Sequence, residues 1–564
     1  MSLGRRSPSG PVTLTARDVM KHYGSQLILN RASVTVGAGA RIGLVGPNGI
    51  GKSTLLRILA GGERPDDGVL IRSPQSLTVG YLPQEVDADP GETLRDYLAR
   101  RTGIAEAEAK LQDSEAQLID DPLAADAHAT ALDKWMSLGG HDFDARASRV
   151  CAEVALSADR LGVPLGSLSG GQASRAALAG ILLSRFDILL LDEPTNDLDF
   201  DGLATLEKFV RDSHFGLVVV SHDRAFLETC IDHVVEIEEG THRTLHYSGG
   251  WAHFVKERDR ARSAQYEGYA QYVADRKRLA DAARRKREWA RKGAARARRS
   301  EEPDKNIRFG RKEGAETLAS DAKALEKRLE ALEVVEKPWE GWQLRMKFAF
   351  APRSGDVVFR LESASVRRRT FVLGPLDLNV HFGDRIAIVG PNGGGKTTLL
   401  DVLAGRVGLD AGNSQRGSGV VIGEMDQDRR AYRTGDDTLQ VFRASVGTTE
   451  EEARSSLSKF ALGATQLQQP SYLLSPGQRT RCLLAAYMAR GVNCLVLDEP
   501  TNHLDIAALE ELEAALLEFE GTVVAVSHDR RLLRAFRPTR VLEIVEGRIS
   551  EFRDIERVLS ERVR

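Results

Sequence analysis

The feature that most constrains this chain is a repeat. Ala40–Leu56 reads ARIGLVGPNGIGKSTLL, and Asp384–Leu400 reads DRIAIVGPNGGGKTTLL. Leu189–Asp199, LLLDEPTNDLD, recurs as Leu495–Asp505, LVLDEPTNHLD. Val219–Arg224, VVSHDR, recurs as VSHDR at Val526–Arg530. The spacing from Ser169 to Asp192 equals that from Ser475 to Asp498, and the spacing from Asp192 to His222 equals that from Asp498 to His528. Several motifs at matched spacing, twice over, mark a duplicated module. A length of 564 residues suits several domains rather than one core.

Each copy carries phosphate chemistry. Gly46-x-x-x-x-Gly51-Lys52-Ser53 follows the apolar run Ile42–Val45 and precedes a helical pattern over Thr54–Ala60. That is the strand–loop–helix setting of a phosphate-binding loop, in which backbone N–H groups at a helix start face the anion. Lys52 supplies a point charge and Ser53 a hydroxyl for Mg²⁺, and Lys396 and Thr397 repeat this in the second copy. Ile188–Leu191 and Leu495–Leu497 read as buried strands, each ending in Asp-Glu. Asp192 and Asp498 are expected to hold Mg²⁺ through water, and Glu193 and Glu499 to orient or polarise the attacking water. His222 and His528 are placed to contact the γ-phosphate.

These residues resemble the ATP-binding cassette superfamily, which implies an α/β fold with two tandem P-loop domains. Gly46, Asn48, Gly49, Gly51, Lys52, Ser53 and Thr54 match its Walker A motif, as do Gly390, Asn392, Gly393, Gly395, Lys396, Thr397 and Thr398. Gln84 and Gln427 fall where its Mg²⁺-contacting Q-loops do, and Leu168-Ser169-Gly170-Gly171-Gln172 matches its signature. The resemblance implies a head-to-tail pair within one monomeric chain. Lys52 would face Ser475 and Gly477, and Lys396 would face Ser169 and Gly171; ATP would close the pair and hydrolysis open it. Two departures stand out. The second signature is Leu474-Ser475-Pro476-Gly477-Gln478, in which the proline removes an N–H. The adenine-stacking residue is Tyr23 in the first copy, but the same offset in the second falls on Arg367, with Phe371 a poorer alternative.

The copies differ between Gln84 and Leu168, where the first is much longer. The surplus, near Leu98–Ser148, is Ala- and acid-rich with helical periodicity, and reads as a helical arm or as a solvated helix without a partner. Between the copies, Arg284, Arg285, Lys286, Arg287, Arg291, Lys292, Arg296, Arg298 and Arg299 are opposed locally by Glu288 alone. Tyr266, Tyr269, Val273 and Ala280 suggest one helical face, and Leu318, Ala322, Leu325, Leu329 and Leu332 a coiled-coil seam ended by Pro338. Ser300–Gly314, with Pro303, Gly310 and Gly314, reads as the turn of a helical hairpin. Net charge is only -3, so this run is a local basic surface. Arginines with Trp289 and Phe309 nearby suit contact with RNA; the alternative is a charged spacer.

The expected organisation is a disordered tail at 1–12, one module at 13–250, a basic hairpin at 251–350 and the second module at 351–564. The start, MSLGRRSPSG, lacks the apolar run of a signal peptide, and no apolar run approaches the about 18 residues of a membrane helix. The four cysteines lack metal spacing and read as buried thiols in a reducing cytoplasm. Tandem cassettes, a charged hairpin and DEPTNHLD together resemble the ABC-F family of ribosome-binding ATPases. ARKGAARARRSEEPDK, VVEKPWEGWQL and LSPGQRTR are similar to its actinobacterial branch, which includes factors conferring macrolide or lincosamide resistance. The resemblance implies a hairpin that enters the ribosomal exit site toward the peptidyl-tRNA and the peptidyl-transferase centre. A housekeeping translation factor, a transporter's ATPase subunit and a DNA-repair or chromosome ATPase are the rival readings.

Overall fold

The computed structural model describes residues 12–83, 89, 91–120, 125–168, 170–299, 305–332, 353–368, 371–426, 429–460, 462–502 and 504–562. The chain divides into two units, 1–252 together with 342–564, and 253–341. The larger unit holds both copies, each an α/β domain.

The first copy contributes β1 (Thr13–Tyr23), β2 (Gln26–Gly37), β3 (Arg41–Val45), β4 (Asp67–Ser73), β5 (Val79–Leu82), β6 (Ile188–Asp192), β7 (Gly216–Val220), β8 (His233–Ile237) and β9 (Thr244–Ser248). The second contributes β10 (Val357–Arg368), β11 (Phe371–His381), β12 (Arg385–Val389), β13 (Ala411–Arg416), β14 (Ile422–Met425), β15 (Cys494–Asp498), β16 (Thr522–Val526), β17 (Arg540–Val545) and β18 (Arg548–Phe552). Each copy has a mainly parallel sheet, ordered β5-β6-β7-β3-β8-β9 and β14-β15-β16-β12-β17-β18. Each adds a small antiparallel sheet, β2-β1-β4 and β11-β10-β13. Strands β6, β7 and β16 are buried at every position, as parallel strands covered on both faces must be. Parallel strands end at one edge, so the loops after β3, β6 and β7 meet there, where open α/β sheets bind ligands.

The surplus of the first copy holds the helices Ile104–Asp120 and Ala125–Leu138, which pack against each other. Cys151, Cys230, Cys482 and Cys494 are free and buried. Among the described residues, no helix is long and apolar enough to cross a membrane.

The two copies pack on each other through matched ion pairs. Arg530 Nη1 lies 2.8 Å from Glu207 Oε1, with both side chains nearly inaccessible. Arg224 pairs with Glu513 at the pseudo-symmetric position. Phe200 of the first copy meets the His528 ring of the second edge-on, with centroids 5.1 Å apart.

The smaller unit is built on the helices Trp251–Arg299 and Lys305–Glu330. Gly310 and Gly314, expected in the turn, lie inside the second helix. A helical glycine costs only about 1 kcal/mol, which the flanking helix formers outweigh. Ala283, Ala290 and Ala322 are buried, whereas Val273 and Ala280 are exposed, so the inner face of the first helix is not the Val273–Ala280 stripe. Ala322 is buried and Leu318, Leu325, Leu329 and Leu332 half-buried along the second. Residues 1–11, Pro303 and Pro338 lie outside the described residues.

Candidate functional site

The loop after β3 carries Gly46 at φ +148, and a Cβ there would come within 2.8 Å of the Ile237 carbonyl, so only glycine fits. Gly390 repeats this conformation at φ +142. The helices Lys52–Ala60 and Lys396–Ala404 start directly after Gly51 and Gly395. The lysines fold into their loops. Lys52 Nζ donates to Gly46 O at 2.7 Å and Pro47 O at 3.0 Å; Lys396 Nζ donates to Gly390 O at 2.8 Å. Burial lowers the Lys52 pKa, opposed by Glu193, Asp505 and Asp192.

Asp192 and Asp498 close β6 and β15, and Glu193 and Glu499 follow at φ +51 and +43. Left-handed backbone at a glutamate is strained, and such strain clusters where side chains are aimed at a site. The His222 ring Nε2 lies 3.1 Å from Glu193 Oε1, and the His528 Nε2 lies 3.4 Å from Glu499 Oε1. Burial pushes both glutamic acids up to about 7, against the pull of Lys52 and Lys396. Their folded values thus exceed the ordinary 4.5. The two groups favour the fold at low pH, and that contribution is lost as pH rises through about 7. A carboxylate that polarises water must be ionised. ATP turnover should therefore rise about tenfold per pH unit up to about 7 and level off above it. A pH–rate profile that is flat across this range would contradict the assignment.

Asp498 is hydrogen-bonded by the side chain of Thr397, while burial raises its pKa. A hydroxyl and a carboxylate converging in this way form the oxygen-only donor set that Mg²⁺ takes beside phosphates and water. Ser53 and Asp192 occupy the matching positions in the first copy. Gln84, Gln427 and Ser169 lie outside the described residues.

A cavity of about 790 Å³ joins the copies. The second copy lines it with Asn392, Gly393, Gly395, Lys396, Thr397, Thr398, Asp498, Glu499 and His528. The first copy lines it with Asp192, Glu193, His222 and, from the helix Gly170–Leu183, Ala173, Ser174 and Ala177. The phosphate loop of one copy thus faces the helix that begins at Gly170, Gly171 and Gln172 of the other. The other crossing is marked by Asn48, whose N–H donates to Asp505 at 3.4 Å.

Sequence reasoning missed the two aspartates that make these crossings. Asp199 Oδ1 caps its own helix through Gly202 N–H at 3.0 Å, while Oδ2 accepts from Asn392 N–H of the other copy at 3.0 Å. Although burial opposes it, these bonds hold Asp199 below its usual range. Asp505 mirrors it, capping through Ala508 N–H at 2.9 Å. The signal was available: both close the DEPTNxLD motif at the same offset.

Two expectations change. Pro476 stands at the first position of the helix Pro476–Ala489, where an N–H has no helical partner in any case. Ser475 and Gln478 cap that helix reciprocally, at 3.2 and 3.0 Å, with Gly477 between them. The register also moves the counterpart of Tyr23 from Arg367 to Arg368. Tyr23 pairs with Gln26, and Arg368 with Phe371. Strand β2 carries an extra residue, Ile28, between the paired Leu27 and Leu29 that β11 lacks, so counting from the lysine overshoots by one. The Tyr23 hydroxyl donates to Glu63 at 2.7 Å, and Phe371 lines the cavity beside Gly395.

On the hairpin, Lys286 pairs with Asp321 at 2.6 Å, Arg287 with Glu326 at 2.8 Å and Arg284 with Glu288 at 3.6 Å. The second helix therefore offsets part of the basic run that looked unopposed locally. Arg285, Arg291 and Lys292 are exposed and make no ion pair among the described residues. Arg296, Arg298 and Arg299 continue the helix, with side chains outside the described residues.

Fold and site together define a paired nucleotide-binding ATPase. The family model described as ABC transporter matches residues 29–196 and 373–502. The tylosin resistance ATP-binding protein TlrC of Streptomyces fradiae is 36% identical over 97% of this chain and 99% of its own. The energy-dependent translational throttle protein EttA of Escherichia coli is 31% identical over 94% and 93%. ABC transporter F family member 5 of Arabidopsis thaliana is 31% identical over 97% and 78%. The chain belongs to the ABC-F family of ATP-binding cassette proteins and is an ATPase. An archaeal ABCE1 in complex with stalk protein aP1 shares the fold, with a TM-score of 0.54 at 20% identity over 94% of this chain and 88% of that one.

Proposed function

We propose that this chain is a ribosome-binding ATPase that protects translation from an antibiotic. Its hairpin would reach ribosomal RNA and tRNA at the exit site, toward the peptidyl-transferase centre. The observation that carries this reading is the exposed Arg285, Arg291 and Lys292 on a hairpin inserted between two ATP-binding copies. Exposed cations without an ion-pair partner among the described residues are available to phosphate. The likeness to TlrC along nearly its whole length favours resistance, and EttA keeps a housekeeping translation role as the second reading.

In this mechanism each copy binds ATP on its phosphate loop, Lys52 or Lys396 meeting the β- and γ-phosphates. Tyr23 stacks on adenine at one site. Ser53 and Asp192, with Gln84, would hold Mg²⁺ at one site, and Thr397 and Asp498, with Gln427, at the other. There it would neutralise phosphate charge. The helix starts at Ser169 and Ser475 meet the γ-phosphate bound by the opposite copy, so ATP draws the copies together. Glu193 and Glu499 accept a proton from the attacking water, while His222 and His528 contact the γ-phosphate. Loss of that phosphate removes the bridge and opens the pair. The protein would work in the cytoplasm as a monomer.

Expression in a sensitive host should raise the inhibitory concentration of a macrolide, lincosamide or pleuromutilin by several-fold. Unchanged susceptibility to all three would leave the housekeeping role as the better reading.

A further inference from the structure

Arg429 is 2% exposed, yet its guanidinium reaches three acceptors in two separate segments of the second copy. Nη2 donates to Pro500 O at 2.7 Å and Nη1 to Asn502 O at 3.2 Å. Both carbonyls belong to the turn that immediately follows Glu499. Nε donates to Thr480 Oγ1 at 2.7 Å, and that hydroxyl donates in turn to Pro476 O at 3.0 Å, in the first turn of the helix Pro476–Ala489. Asn502 also extends its side-chain amide to Asp197 of the first copy, 3.4 Å away. Only a planar fork of donors spans acceptors arranged like this. The backbone of Arg429 takes φ +50 to present it. In sequence the arginine stands two residues after Gln427; the residue two after Gln84 is Val86, so no arginine stands at that offset in the first copy.

We propose that Arg429 is a positioning residue that ties the turn behind Glu499 to the start of the helix Pro476–Ala489. Glu499 shares its site with Lys396, whereas in the mechanism proposed above Ser475 and Gly477 face the site of Lys52. One buried side chain therefore connects the machinery of two different ATP sites, and no arginine stands at the same offset in the first copy. A strut placed this way in the second copy would act on the two sites differently. The inference rests on the reading of Glu193 and Glu499 as the carboxylates of hydrolysis.

The test places Arg429→Met in full-length protein carrying either Glu193→Gln or Glu499→Gln, and follows steady-state ATP hydrolysis. With E193Q, turnover depends on Glu499; R429M should lower kcat about tenfold and move KM less than about twofold. With E499Q, turnover depends on the Lys52 site; R429M should raise KM about fivefold with kcat nearly unchanged, because the helix start there serves binding. Arg429→Lys, a point charge without the fork, should fall between wild type and R429M in the first background. Equal kinetics with and without R429M in both backgrounds would overturn the proposal. So would a loss of kcat that is proportionate in both backgrounds and tracks a lowered Tm. Hydrolysis that persists in E193Q/E499Q would instead refute the carboxylate reading on which the proposal stands.

Discussion

Converting Glu193 and Glu499 together to Gln is expected to lower ATP turnover by about 10³-fold, the scale of a lost general base. The substitution is nearly isosteric. It keeps the φ +51 and +43 turns and the cavity lining, and it leaves Lys52, Lys396 and their loops untouched. What it removes is the negative oxygen beside His222 and His528. Nucleotide affinity should change little, so the loss belongs in kcat rather than KM. Either single variant should retain turnover from the other copy. The double variant also loses two groups that titrate near 7, so its stability should depend less on pH between about 5 and 8. A double variant that hydrolyses ATP within about tenfold of wild type would place the base elsewhere.

Replacing Glu207 with Ala is expected to cost about 3–5 kcal/mol, because it strands the Arg530 cation in a site that excludes water. Both side chains of the pair are nearly inaccessible, at 9% and 6%. The damage is not simply the lost attraction. An uncompensated charge must remain dehydrated or drag the surrounding packing open. Replacing both partners, Glu207 with Leu and Arg530 with Met, should therefore cost much less than removing Glu207 alone. The pair joins different copies, so E207A should also split denaturant unfolding of the full chain into separate steps as the copies lose their common surface. Denaturation followed by circular dichroism measures both effects. A midpoint within error of wild type would mean that the copies do not depend on this contact.

The parts of the site that touch phosphate were legible in the sequence because their chemistry tolerates few residue types. A loop that turns backbone N–H groups toward an anion needs Gly46 and Gly51, and a strand that delivers a carboxylate at its end reads as an apolar run before Asp192. Matched spacing in two copies removed the remaining ambiguity of each short motif. What could not be read were contacts that exist only once the copies meet. Asp199 looks like a helix cap, which it is, but one of its oxygens serves the other copy. Glu207 and Arg530 are far apart in sequence, and each alone looks like a surface charge. Local reading also failed on the hairpin, where Asp321 and Glu326 return from the second helix to neutralise cations that seemed unopposed. Gly310 and Gly314 resembled a turn because breaker signals carry no information about a helix supported by its partner. The move from Arg367 to Arg368 has a similar origin, since the extra residue Ile28 on β2 changes register without changing motif.

In the function proposed above, ATP held between the two copies commits a basic hairpin to the ribosome. Co-sedimentation of the E193Q/E499Q protein with purified ribosomes, in ATP and in ADP, tests it most directly. The variant should pellet with ribosomes in ATP and stay in the supernatant in ADP. Changing Arg285, Arg291 and Lys292 to Ala in the same protein should weaken the ATP-dependent binding and reduce its salt slope by about 1 for each lost phosphate contact. A variant that holds ATP yet sediments free of ribosomes would rule out ATP-dependent ribosome binding by this chain.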